Sequence, residues 1–290
     1  MKTLPYSPEA PVFRRPRKNV FFFHIPKTAG TTVTFFFKKR YTRNLLTNTL
    51  ARPLPFDKVK SFWPNCGIFY ATHLNWDLFE QYPHETQSFT FLRDPSSLIE
   101  SAYYFIRASG RDEDLLQPEF HSMLKYSFKD WLKVTRDGGD GNGQKTEVVG
   151  QDTYNFYDNY YTRTLLGVKK TGHIPRLCFA TDSEEFELAL SRLHSFDAIG
   201  LAEDFDQSLI SICLSCGIIP PAKEEIIRKN TADAEKRLTR APKDDETFEL
   251  LEEITFYDQL IYKEGKKLLN MRVAKQIENL EASGGTSILL

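Results

Sequence analysis

The tightest constraint on what this chain can fold into is the stretch Asn19 to Thr32, NVFFFHIPKTAGTT. Asn19 to Ile25 is a short apolar run rich in aromatics, which suits a buried strand and is too short to stand as a helix. Pro26 stops it. The TTVTFFFKKRY that follows opens with hydroxyl residues suited to capping and continues with apolar residues at helical spacing. The segment therefore reads strand, tight turn, helix.

The same grammar recurs downstream. Short strands are expected at Gly67 to His73 (GIFYATH) and at Gln87 to Arg93 (QSFTFLR), the second running into the helical DPSSLIESAYYFIRA. Asp94 can cap that helix with Pro95 at its first position, where a missing N–H does no harm. Farther on, FHSMLKYSFKDWLKV reads as one amphipathic helix and RDGGDGNGQK, Arg136 to Lys145, as a flexible loop. TYNFYDNYYTRTLLG, SEEFELALSRLHS and EDFDQSLISICLSCG read as helices, with a strand at Phe196 to Ala202 between the last two, and one long helix is expected from Thr247 to about Leu269. Alternating short strands and helices imply an α/β fold, with a P-loop-type, mostly parallel sheet covered by helices on both faces. The expected organisation is an arm at 1–18, a single domain over 19–275 and a flexible tail at 276–290.

Composition narrows the partners. Of the 290 residues, 41% are hydrophobic and 13% aromatic, ample for a large core, while 38 basic against 39 acidic residues give a net charge of -1. No global field then favours nucleic acid or an anionic membrane, so any anion site must be local. RRPRK, Arg14 to Lys18, reads as a solvated arm. No stretch approaches the roughly 20 apolar residues that span a bilayer, and the polar, proline-rich start does not resemble a secretory segment, so a soluble, cytoplasmic protein is expected. Four scattered cysteines, Cys66, Cys178, Cys213 and Cys216, agree with a reducing compartment. Cys213 and Cys216 form a lone CxxC, but they share one helical face with Phe205, Leu209 and Ile212, which points to core packing. The Asp/Asn/Gly loop at Arg136 to Lys145 has no frame with calcium-ligand spacing, and no metal is expected.

In open α/β sheets, ligands bind beyond the carboxyl ends of strands, where both marked turns lie. A helix starting after Ala29 would aim the backbone N–H groups of Ala29 to Thr32 at one point, and its dipole adds partial positive charge. Lys27 adds a full charge, the hydroxyls of Thr28, Thr31 and Thr32 add donors, and Gly30 lacks a Cβ that would block close approach. Such a turn suits a phosphate or a sulfate. In a Walker loop the lysine follows the glycines, whereas here Lys27 precedes Gly30.

HIPKTAGTT followed by FLRDPSSLIESAYYF resembles the paired signature of the 3′-phosphoadenosine-5′-phosphosulfate (PAPS) dependent sulfotransferases, most nearly the carbohydrate group that includes the uronosyl 2-O-sulfotransferases. TYNFYDNYYTRTLLG and AIGLAEDFDQSLI are similar to later segments of that family. The resemblance implies that Lys27 and the turn through Thr32 hold the 5′-phosphosulfate and that Arg93 and Ser101 hold the 3′-phosphate. Arg228, Asn230 and Thr231, in IIRKNTADAEKRL, would then belong to a loop closing over the nucleotide. Relatives often carry arginine where this chain has Leu98.

The acceptor hydroxyl must lose a proton, and histidine is the natural base near neutral pH. His73 ends an expected strand and resembles the strand-end base of the 2-O-sulfotransferases, with Thr72 where relatives often have glycine. His24, inside the turn motif, suits packing or loop orientation equally well, and Asp77 or Glu80 could orient the His73 imidazole or replace it. The expected reaction is transfer of a sulfuryl group from PAPS to an alcohol of a carbohydrate or glycoconjugate. The alternatives are a P-loop kinase using ATP and Mg²⁺ with Asp94 as the metal-binding acid, and a non-catalytic nucleotide-binding protein. Acceptor selectivity is expected in loops at Ala51 to Asn65 and Gly110 to Gly150.

Overall fold

The computed structural model describes residues 19–41, 43–47, 68–72, 75–81, 86–108, 121–137, 146–148, 151–153, 157–171, 174, 176–221 and 240–282. The expected arm, the glycine-rich loop at 138–145, Cys66, His73 and the segment carrying Arg228, Asn230 and Thr231 lie outside the described residues.

Val20–Phe23 forms β1, and all four of its residues are buried. It lies at the centre of a parallel sheet because its two faces are covered by different layers. Phe21 and Phe23 enter one core cluster, and Val20 and Phe22 the other. That is why the strand reads as a continuous apolar run and not as an alternation. Each fully buried phenylalanine contributes about 2–3 kcal/mol by loss of water contact.

The chain continues into α1 (Gly30–Arg40), β2 (Arg43–Thr47), β3 (Ile68–Thr72), α2 (Trp76–Phe79), β4 (Gln87–Leu92) and α3 (Pro95–Ala108). Then follow α4 (His121–Lys125), α5 (Phe128–Arg136), β5 (Thr146–Val148), β6 (Gln151–Thr153), α6 (Tyr160–Leu166), α7 (Val168–Thr171), α8 (Glu184–His194), β7 (Ala198–Leu201), α9 (Phe205–Ser215), α10 (Asp245–Ile254) and α11 (Phe256–Ala282). Among the described residues the main sheet has the order β2-β3-β1-β4-β7, and every pairing in it is parallel. Helices cover both faces: α1 and most of α9 pack with Phe22 and Phe89, while α3, α6, α8 and α11 pack with Phe21 and Phe23. The expected α/β fold with a parallel sheet is the observed one. Cys213 and Cys216 lie in the Phe22 cluster with Phe205, Leu209 and Ile212.

Several elements differ from the sequence expectation, each for a local reason. The helix expected over Phe120 to Val134 breaks at Ser127, whose extended backbone caps α5 through a hydrogen bond from the Asp130 N–H. The helix expected from Thr153 starts only at Tyr160, because Asn159 adopts a left-handed conformation with φ 52°. The long C-terminal helix is two helices divided at Thr255, and the second runs past residue 275 to Ala282. Asn159 fills that division. Its N–H donates to Ile254 O at 2.7 Å, and its Oδ1 accepts the Tyr257 N–H at 2.8 Å, so the break leaves neither group unpaired. The edge strand β2 and the hairpin β5-β6 carry no apolar run, and the sequence does not announce them.

Candidate functional site

The two turns singled out in the sequence end neighbouring parallel strands, β1 and β4, on the same edge of the sheet. Their helices then part. α1 packs against the Val20 and Phe22 face and α3 against the Phe21 and Phe23 face. A crevice opens where successive crossovers diverge in this way, and it is the usual ligand position in open α/β sheets.

The turn after β1 holds two left-handed residues that are not glycine, Lys27 at φ 66° and Ala29 at φ 69°. Such residues cost about 1–3 kcal/mol each and gather at functional sites. Thr28, between them, is fully buried, and its hydroxyl donates to Ile25 O at 2.6 Å. That hydroxyl shapes the loop and is not the anion donor expected for it. Thr32 N–H is likewise bonded, to Ala29 O at 3.0 Å. Among the described residues nothing accepts the backbone N–H groups of Thr28, Ala29, Gly30 or Thr31. These N–H groups, next to residues of left-handed backbone and at the start of an 11-residue helix, form a concavity suited to anion oxygens.

Gly30 serves a different neighbour from the one the sequence suggested. A Cβ there would lie 1.6 Å from His24 Nε2, so the imidazole, not a ligand, fills the space beside the glycine. His24 also stacks on Phe22, with centroids 4.9 Å apart and planes 20° apart. Its position is a packing and loop-orienting one.

The second turn meets the first through Arg93, whose guanidinium Nη1 donates to the Lys27 carbonyl at 3.2 Å. Asp94 caps α3 as expected, its Oδ1 accepting the Ser97 N–H at 2.8 Å. Ser101 is buried on α3, and Phe105, one turn further on the same side, is 40% exposed. The Lys27 ammonium rests 3.9 Å from the Phe105 ring centroid, a cation–π contact. The contacts of Lys27 thus reach Arg93, two residues before α3, and Phe105 in its last turn.

Residues the motifs do not announce hold Arg93 in place. The Tyr161 hydroxyl accepts the Arg93 N–H at 2.8 Å and donates to the Arg93 carbonyl at 2.7 Å. Burial pushes that phenol well above its usual pKa, so it stays protonated and able to donate. Glu203 accepts the Asp94 N–H at 2.9 Å through one oxygen and the Tyr262 hydroxyl at 2.9 Å through the other. Behind them Asp258, fully buried, accepts the N–H groups of Tyr161 and Thr162 and the Thr162 hydroxyl, each at 2.9 Å. Burial pushes its carboxyl up to about 7, against the pull of those donors. Beside it Asp158 and Arg163 form a buried ion pair at 2.8 Å, and burial lowers the Arg163 guanidinium.

Asp77 and Glu80 have other partners. Asp77 Oδ2 accepts the Lys169 N–H at 2.9 Å, and Glu80 faces Arg192 at 3.7 Å. Among the described residues no three His, Cys, Asp or Glu groups come together in a way that would hold a metal ion, and no helix is long and apolar enough to cross a membrane.

No protein-family model matches the chain, and no curated protein matches it in sequence. Among solved structures it is similar to mouse sulfotransferase SULT7A1 complexed with PAP, at 13% identity and a TM-score of 0.40, over 91% of this chain and 86% of that one. A likeness that distant carries no residue correspondence.

Proposed function

We propose that the chain is a PAPS-dependent sulfotransferase that moves a sulfuryl group to an acceptor hydroxyl, on a carbohydrate or glycoconjugate. The observation that carries this reading is the contact of Arg93 with the Lys27 carbonyl. It joins a loop of four open N–H groups and one lysine to a second cationic turn on the same crevice. A donor with a phosphosulfate on the 5′-oxygen and a separate phosphate on the 3′-oxygen of one ribose needs two such anion subsites side by side, a sugar ring apart.

In this reading the N–H groups from Thr28 to Thr31 hold the nonbridging oxygens of the 5′-phosphosulfate, while Arg93 and Ser101 hold the 3′-phosphate. The planar fork of Arg93 suits a phosphate better than a lysine would. The sulfur–oxygen bond to the 5′-phosphate breaks as the bond from sulfur to the acceptor oxygen forms in line. Lys27 swings from the Phe105 ring to the bridging oxygen, where charge develops, and adenosine 3′,5′-bisphosphate leaves. His73 takes the acceptor proton. Asp77 and Glu80, engaged with the Lys169 N–H and Arg192, are not assigned that role. Arg228, Asn230 and Thr231 are assigned to a loop closing over the nucleotide. The reducing, cytoplasmic setting expected from the four scattered cysteines is kept in this reading.

The test is transfer of labelled sulfate from PAPS to a panel of glycans and simple alcohols. Transfer that Lys27→Ala and His73→Ala both sharply reduce is the expected result. No transfer to any acceptor, with the nucleotide still bound, would favour a non-catalytic nucleotide-binding protein.

A further inference from the structure

Within the proposed site, the residue whose position matters most for recognising the second phosphate is Arg93, and its backbone lies just beyond the last residue of β4. The sheet therefore no longer holds it. Two tyrosines from distant parts of the chain do so instead. The Tyr161 hydroxyl satisfies both the N–H and the carbonyl of Arg93, at 2.8 and 2.7 Å. Tyr262 acts on the next residue: its hydroxyl donates to Glu203, whose other oxygen takes the Asp94 N–H, both at 2.9 Å.

Both tyrosines are governed by the first two turns of α11. Asp258 caps the start of α6 through the Tyr161 and Thr162 N–H groups, which fixes where Tyr161 stands. Tyr262 follows Asp258 by four residues and so lies on the same side of α11. The division of the helix at Thr255, filled by Asn159, sets the start of α11 and with it the height of both groups. We propose that Tyr161 and Tyr262 are positioning residues, through which α11 holds the Arg93 turn in the geometry that selects a nucleotide bearing a 3′-phosphate. This inference rests on the PAPS reading of the site.

The structure supplies its own control. Tyr257 bridges Phe179, between α7 and α8 in the chain, in the same manner, accepting the N–H at 2.9 Å and donating to the carbonyl at 2.5 Å. Tyr161→Phe and Tyr257→Phe therefore remove equivalent hydrogen bonds, and a purely structural role predicts the same behaviour for both.

The measurement is the ratio of affinities for adenosine 3′,5′-bisphosphate and adenosine 5′-phosphate, taken by titration calorimetry on the full chain and its variants. Tyr161→Phe is expected to reduce the preference for the bisphosphate about tenfold while leaving the 5′-phosphate affinity in place, the size of effect expected for a lost buried hydrogen bond. Tyr262→Phe, on the half-exposed side, is expected to reduce it about twofold to threefold by the weaker indirect contact, and carries the test should Tyr161→Phe not fold. Tyr257→Phe is expected to leave the ratio unchanged. A ratio that stays at the unsubstituted value in Tyr161→Phe and Tyr262→Phe overturns this inference alone. Equal binding of the two nucleotides by the unsubstituted chain overturns it together with the PAPS reading.

Discussion

The two turns that flank the crevice are built in opposite ways. Among the described residues, the turn after β1 leaves the N–H groups of Thr28, Ala29, Gly30 and Thr31 without an acceptor, and it places Lys27 and Ala29 in left-handed backbone. The turn after β4 has the backbone groups of Arg93 and Asp94 paired. Asp94 caps its own helix, Tyr161 closes the Arg93 backbone, and Glu203 closes the Asp94 N–H. The contrast teaches a division of labour. In the proposed sulfotransferase reading, the loop assigned to the oxygens of the transferring group keeps its donors uncommitted, whereas the turn assigned to present one guanidinium at a fixed point is clamped from behind.

The largest expected effect comes from the open turn. Lys27→Ala removes the only full charge of that loop and should lower the transfer rate by about 10²–10³-fold, as loss of one preorganised charge-stabilising donor does. Thermal unfolding of this variant should be near that of the parent, because the Lys27 side chain belongs to neither core cluster. A large drop in melting temperature would instead make Lys27 a structural residue.

The clamped turn is probed next. Arg93→Ala should weaken adenosine 3′,5′-bisphosphate by about 10–100-fold, the range for a charge-assisted pair, and Arg93→Lys should recover only part of the loss. If the lysine variant bound as well as the parent, the fork geometry assigned to this turn would be wrong.

Gly30→Ala tests whether His24 is the partner of the glycine. The added Cβ would meet the imidazole at 1.6 Å, so His24 must leave its stack on Phe22. A loss of about 1–3 kcal/mol in chemical denaturation is expected from overpacking, with partial rescue in the double variant Gly30→Ala, His24→Ala. Absence of rescue would return the glycine to its sequence-based role of ligand approach.

Behind the clamp, Asp258 makes stability depend on pH. Its folded carboxyl titrates at about 7, above the ordinary value of 3.8 that it has when unfolded. The folded state therefore holds the proton more tightly, so the contribution of this carboxyl to stability is fully present below pH ~4 and is lost as pH rises through about 7. Asp258→Asn should flatten the slope of unfolding free energy across that window. An unchanged slope would show that the three donors outweigh burial at this carboxyl.

The smallest expected change is Ala29→Gly. Relief of a left-handed alanine should raise stability by about 1 kcal/mol, read by denaturant midpoint. No gain would mean that the contact of Ala29 with the Phe22 cluster offsets the strain.

Most of the fold and half of this contrast could be read from the sequence. β1, β4 and their turns are local in sequence: in each an apolar run, a stop, a cap and a helix follow one another within a few residues, with Lys27 inside the first such stretch and Arg93 and Asp94 inside the second. The clamp is not local. Tyr161 and Tyr262 stand 68 and 168 residues from Arg93 and Asp94, and in the sequence they are aromatic residues among many, fit equally for core or site. Nor could spacing show that the Thr28 hydroxyl turns inward to Ile25, because a threonine in a tight turn reads the same whichever way it faces. The helix breaks at Ser127 and Thr255 were hidden for a related reason. Apolar spacing continues across each break, and what ends the helix is a capping hydroxyl in one case and the remote Asn159 in the other.

The measurement that bears most directly on the central claim is a paired titration of the unsubstituted chain and Arg93→Ala with adenosine 3′,5′-bisphosphate and with ATP plus Mg²⁺. The account predicts that the bisphosphate binds more tightly to the unsubstituted chain and that Arg93→Ala removes the preference. Tighter binding of ATP with Mg²⁺, with no effect of Arg93→Ala on either nucleotide, would contradict it.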